Sequence, residues 1–162
     1  MGSRFPRAHL GEGCESSPLS GRLIATDLAT GEEYEVDVLK EAFWAPPTIT
    51  EYGPVLSLDD VIGTKARALA DRGAVRDLID VHAATRHRTT ADLEHLGRRH
   101  ARFEFSLHDL HDRLTGAEWW DVQDFTDYGL SHEQVEDLRA WALAWAHDLA
   151  IRLHAGQDPD ED

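Results

Sequence analysis

Hydrophobic and polar positions change their period near residue 57. Before it, two short runs at 22–26 and 33–39 read as strands, and the second alternates apolar and polar side chains. In the second run Tyr34, Val36 and Val38 share one face, and Glu35, Asp37 and Leu39 share the other, because successive strand side chains point to opposite sides. The intervening Asp27-Leu28-Ala29-Thr30-Gly31 supplies turn residues, so the two runs predict a β-hairpin. Residues 1 to about 20 carry no comparable pattern. Gly2, Pro6, Gly11, Gly13, Pro18 and the serines Ser16, Ser17 and Ser20 interrupt it, and an irregular segment is expected there. A two-stranded hairpin is marginal alone, so the sheet needs another strand, a helical cover or a partner.

From Ser57 onward the period becomes helical. Helices are predicted at about 57–72, 74–85, 90–100, 107–114 and 132–154. Ser57-Leu-Asp-Asp60 resembles a capping box with Asp in place of Glu, and Ser131-His-Glu-Gln134 is a capping box. Gly73, Gly116 and Gly156 mark helix ends. The expected organisation is an irregular segment at 1–20, a partial sheet at 21–56, a helical domain at 57–156 and an acidic tail at 157–162. This is an α+β pattern with segregated elements.

Composition narrows the functional classes. Lys and Arg number 16 against 31 Asp and Glu, a net charge of −15. That balance argues against a protein devoted to neutralising a phosphate backbone, although a local basic patch is compatible with it. A single cysteine, Cys14, excludes an intrachain disulfide framework and a cysteine-based zinc ribbon. No apolar run approaches the roughly 20 residues that span a bilayer, and the first residues lack a hydrophobic signal core. A cytoplasmic protein without membrane association is expected.

The most informative stretch is 65–80. Leu58, Val61, Ile62, Lys65 and Leu69 fall on one helical stripe, which places a lysine among apolar residues. Such a lysine either snorkels or meets an anion. On the next helix Asp77 and Asp80 are neighbours three apart, and Arg76 can pair with Asp80 at four apart. Two helices joined at Gly73 can bring Lys65, Arg72, Asp77 and Asp80 toward one point. Two readings follow. One is a charge network tying two helices together. The other is a site for a phosphate-bearing ligand, with Lys and Arg on phosphate oxygens and carboxylates available to Mg²⁺.

The ordered pattern Lys65-x-x-Ala68-x-x-x-Arg72-x-x-x-Arg76-Asp77-x-x-Asp80 resembles the helical signature of the nucleotidyltransferase AbiEii/AbiGii toxin family. Tyr34-Glu-Val-Asp37-Val resembles that family's later sheet carboxylate, and Val55-Leu-Ser-Leu-Asp-Asp60 its helix lead-in. The likeness is detailed over about 21–88 and looser beyond, at Ala117-Glu-Trp-Trp120 and Tyr128-Gly-Leu. The resemblance implies an incomplete polymerase-β-like sheet followed by a bundle of about five helices. It implies Mg²⁺-dependent transfer of a nucleotide from an NTP to an acceptor such as tRNA, in a toxin–antitoxin or phage-defence pair with a cognate antitoxin. In that scheme Asp37 is a sheet carboxylate and metal ligand. Lys65, Arg72 and Arg76 contact nucleotide, and Asp77 and Asp80 complete the catalytic side.

The resemblance also shows a departure. Members of the family open with a glycine-rich helix start and a strand bearing Asp-x-Asp, and nothing before Asp37 supplies that pair here. The expectation is therefore the C-terminal portion of such an enzyme, truncated or degenerate, with weak or no transferase activity. The competing expectation is a non-catalytic helical module that binds an antitoxin. That reading predicts internal salt bridges and an exposed apolar patch.

Three further features carry bland expectations. His108 and His111 suit an exposed helix face rather than a zinc site. Trp119, Trp120, Trp141 and Trp145 are expected in the core. Arg86-His-Arg88 and the cluster Arg98, Arg99 and Arg102 read as solvated surface, with RNA contact as the alternative.

Overall fold

The computed structural model describes residues 8–10, 15–17 and 20–156. Cys14 and the acidic tail 157–162 lie outside them. The chain divides into two compact units, Met1–Ala42 and Phe43–Asp162.

The first unit is a four-stranded antiparallel sheet of β1 (Ala8–Leu10), β2 (Glu15–Ser17), β3 (Ser20–Asp27) and β4 (Glu33–Leu39). The predicted hairpin is β3–β4, with Arg22 opposite Asp37 and Leu23 opposite Val36. Its turn is closed by Gly31 N–H donating to the Asp27 carbonyl at 2.7 Å. The segment expected to be irregular instead contributes β1 and β2. They share the edge of β3 that β4 does not use, pairing with its C-terminal and N-terminal ends respectively. Three-residue edge strands depend on main-chain bonds, and Glu-Ser-Ser shows no apolar alternation. Every residue of β4 is exposed, including Tyr34, Val36 and Val38.

The second unit opens with a small hairpin, β5 (Thr48–Thr50) and β6 (Gly53–Val55), which the sequence did not announce. Then come α1 (Leu58–Asp71), α2 (Val75–Ala84), α3 (Thr90–His100), α4 (Leu107–Gly116), α5 (Val122–Thr126) and α6 (His132–His154). A 3₁₀ turn at Ala117–Trp119 follows α4. The five predicted helices are present, and α5 is an additional single turn.

Caps explain most boundaries. Asp60 N–H donates to Ser57 Oγ at 3.1 Å, opening α1. The Ser57 hydroxyl in turn donates to Asp60 Oδ2 at 2.7 Å. Ser131 and Gln134 cap α6 reciprocally. The buried Asp60 carboxylate also accepts from Trp44 N–H at 2.9 Å and Ala45 N–H at 3.2 Å, which ties the incoming chain to the start of α1. Helix α1 packs on α2, α3 and α4, and α4 packs on α6. The approach of α1 to α3 requires Gly63, where a Cβ would stand 2.7 Å from the Leu96 carbonyl oxygen.

Leu69, Leu78, Leu93, Leu114, Phe125 and Leu149 fill the centre and are fully enclosed. Trp145 is buried as expected, and Trp120 and Trp141 pack half-buried against the core. Trp119 departs from expectation: it sits in the 3₁₀ turn with 82% of its surface exposed. The turn directs adjacent residues to different sides, so only one of the Trp119–Trp120 pair reaches the core. Among the described residues no helix is long and apolar enough to cross a membrane.

One buried polar group links α3 to α6. Glu94 accepts from Arg152 Nη2 at 2.6 Å, from Arg152 Nη1 at 3.0 Å and from Trp145 Nε1 at 2.9 Å. Removing the carboxylate strands the indole N–H and leaves Arg152 only its bond to Asp148 Oδ2 at 2.9 Å. Glu94→Ala should cost about 2 kcal/mol of unfolding free energy in urea titration, the range for losing hydrogen bonds to a charged group and leaving one buried donor unpaired. A loss within experimental error would show that solvent replaces the lost partners.

Candidate active site

The residues singled out at 65–80 meet where α1 turns into α2. Gly73 makes the turn with φ 61°, a left-handed conformation that favours glycine. It reverses the chain over two residues and sets Arg72 above the first turn of α2. Arg72 Nε donates to Asp77 Oδ2 at 2.7 Å and Nη2 donates to Oδ1 at 2.8 Å, a bidentate pair. Ala74 N–H adds a bond to Asp77 Oδ2 at 3.3 Å.

Asp77 is completely enclosed, whereas the Arg72 side chain is half exposed. Burial pushes the Asp77 carboxyl upward. The Arg72 bonds and charge, the Ala74 N–H and the positive charge of Lys65 outweigh it and hold the group below its ordinary range. The same bonds to Asp77 raise the Arg72 guanidinium against its own desolvation.

Lys65 and Asp80 form a second pair beside the first. Lys65 Nζ lies 2.8 Å from Asp80 Oδ2, with side chains 37% and 45% exposed. The lysine on the apolar stripe is thus paired with an anion, and its partner comes from the next helix. Arg76 does not pair with Asp80. It is exposed and makes no ion pair or side-chain hydrogen bond among the described residues. Four-apart spacing permits a pair, but Lys65 reaches Asp80 across the helix junction instead.

Asp37 belongs to the sheet unit. Its carboxylate accepts from Arg22 Nε at 2.8 Å and Nη2 at 3.1 Å, directly across the β3–β4 ladder. Arg22 Nη1 also lies 2.8 Å from Glu35. The sequence reading missed Arg22 as this partner, although the hairpin register contained the signal.

The donor set bears on magnesium. Among the described residues, no three His, Cys, Asp or Glu side chains are placed to hold one metal ion. Asp37, Asp77 and Asp80 each meet a cationic side chain. These carboxylates do not by themselves fit a resident Mg²⁺. His108 and His111 likewise join no metal-ligand cluster among the described residues; His111 Nδ1 lies 3.1 Å from Asp112 Oδ1. Arg88 in the basic segment is paired with Asp59 at 2.6 Å.

Among the described residues the junction offers the locked Arg72–Asp77 pair, the half-open Lys65–Asp80 pair and the unpaired Arg76. A family model described as nucleotidyl transferase AbiEii toxin, Type IV TA system, matches residues 25–150. The chain belongs to this family. The matched region takes in β4, the whole 65–80 pattern and most of α6. No curated protein and no solved structure matches the chain.

Asp77 also yields a pH prediction. Its carboxyl is depressed in the folded state, so the stabilisation is complete above the unfolded value near pH ~4 and is lost as pH falls through the lower folded value. Wild type should therefore lose stability on acidification below about pH 4 more steeply than Asp77→Asn. At neutral pH the substitution should cost about 2 kcal/mol, as for hydrogen bonds to a charged group. Parallel acid profiles would contradict the assignment.

Proposed function

We propose that this chain is a nucleotidyltransferase-type toxin whose α1–α2 junction binds the triphosphate of an NTP. The observation that carries the reading is the half-exposed Lys65–Asp80 pair set beside the enclosed Arg72–Asp77 pair. A partly exposed ion pair contributes little to stability, so Lys65 can exchange Asp80 for phosphate oxygen at small cost. Arg76 adds an unpaired cation, and Arg72 keeps Nη1 outside its two bonds to Asp77. Asp77 is too enclosed to touch a ligand and acts by positioning Arg72.

The chemistry then has a simple division. Lys65 and Arg76 balance charge on the phosphates, most of all as pyrophosphate leaves. An acceptor hydroxyl attacks the α-phosphorus, a new P–O bond forms, and the bond to pyrophosphate breaks. Asp80, released from Lys65, is the exposed carboxylate able to take the hydroxyl proton. Transfer RNA is the acceptor implied by the family, and NTP arrives as its magnesium complex. Because nothing before Asp37 supplies the family's Asp-x-Asp pair, the chain by itself transfers nucleotide weakly or not at all.

One observation favours a second reading. Tyr34, Val36 and Val38 form an exposed apolar face on the sheet unit, and Lys65, Arg72, Asp77 and Asp80 are paired with one another. Both features suit a non-catalytic module that binds an antitoxin.

Calorimetry with Mg²⁺–NTP separates the two. Wild type should bind, Lys65→Ala should weaken binding at least about tenfold, and Arg76→Ala should weaken it several-fold, as expected for charge-assisted phosphate contacts. If neither wild type nor variant binds any NTP, the transferase reading fails and the antitoxin-binding module stands.

A further inference from the structure

A cavity of about 370 Å³ lies between α2 and α6, and none of Lys65, Arg72, Asp77 or Asp80 lines it. Ile79 and Ala83 form one apolar wall, Leu130 and Leu138 contribute to the rest, and Thr85 and Gln134 add two uncharged polar groups. His82 also lines it, its ring set against Trp141 with centroids 4.9 Å apart. Two opposite charges border this apolar space. Arg86 stands just beyond the end of α2, and Asp137 is on α6.

Neither charge makes an ion pair or side-chain hydrogen bond among the described residues, although the fields of both reach His82. A buried setting and Arg86 push the His82 imidazolium toward its neutral form, against the pull of Asp137. At neutral pH the cavity therefore presents one cation and one anion.

This combination selects its ligand by elimination. A simple anion meets Arg86 but is repelled by Asp137, and a simple cation meets the reverse. A neutral apolar molecule uses the apolar wall but pairs with neither charge. A molecule carrying both charges and an apolar body satisfies all three features. We infer that this cavity binds a free α-amino acid with an apolar side chain of about leucine size. Its carboxylate meets Arg86, its ammonium meets Asp137, and its side chain lies against Ile79, Leu130 and Leu138. The bidentate fork of arginine suits a carboxylate, and small-molecule sites commonly join apolar walls to a few polar groups in this way.

The test is calorimetric titration of the full chain with L-leucine, L-leucinamide and N-acetyl-L-leucine at low ionic strength. Leucine should bind tightest, with each blocked analogue weaker by about fivefold or more, the upper range for exposed charge pairs. Arg86→Ala should reduce leucine to the level of leucinamide and leave leucinamide itself unchanged. Asp137→Ala should do the same for leucine and N-acetyl-leucine. Both side chains are exposed, so the fold should survive, which circular dichroism checks. Absence of leucine binding at millimolar concentration overturns the inference. So does equal binding of the three compounds, or loss of all three in either variant.

Discussion

A carboxylate stays ionised inside a protein only if donors replace the water it has lost, and Asp77 imposes that condition on the α1–α2 junction. It is fully enclosed, yet it remains a charge because Arg72 grips both oxygens and Ala74 adds an N–H. The pairing works only if Arg72, the residue that caps the end of one helix, hangs over the first turn of the next. Gly73 provides the reversal that puts it there. The path of the chain between the two helices is thus tied to one buried charge. Lys65 and Asp80 then face each other at hydrogen-bonding distance across the same junction.

Similar logic recurs at two other points in the helical unit. Asp60 is enclosed at the start of α1 and collects the Ser57 hydroxyl and two backbone N–H groups. Burial raises its carboxyl, and those bonds, together with nearby His100, bring it below the ordinary value. Glu94 joins α3 to α6 through Arg152 and Trp145. Each buried acid fixes one relation between elements: loop to helix, helix to helix, or the turn between two helices. Apolar packing supplies most of the free energy of folding but is not directional. These carboxylates make the directional links.

The parts of this fold legible in the sequence were those with local causes. Ser57, Ser106 and Ser131 each announce a helix through a hydroxyl that accepts an N–H three residues on. Gly73 and Gly156 announce ends by their left-handed backbone. The β3–β4 hairpin was visible from alternation and turn residues. The three-residue strands β1 and β2 were not, since they exist only as main-chain pairings to β3. The gathering of Lys65, Arg72, Asp77 and Asp80 was legible as a possibility, because Gly73 joins two amphipathic helices. The actual pairs were not. Lys65 meets Asp80 across the helix junction rather than leaving it to Arg76. Arg72 meets Asp77 across a turn, a relation no helical spacing rule describes.

Charge adds a constraint on what the junction can recognise. A net charge of −15 repels polyanions at long range, which is unfavourable for a nucleotide ligand. At physiological ionic strength, however, fields between exposed charges fade beyond about 8 Å. A phosphate group near α2 therefore responds mainly to the charges around it. There Arg76 has no ion pair among the described residues, Lys65 is held by a half-exposed partner, and the negative charge of the enclosed Asp77 is balanced by the half-exposed Arg72. Enclosing the acid against its arginine reduces the local repulsion without removing the positional link. The same pair that fixes the fold of the junction thus leaves Lys65 and Arg76 able to meet a phosphate on an acidic chain.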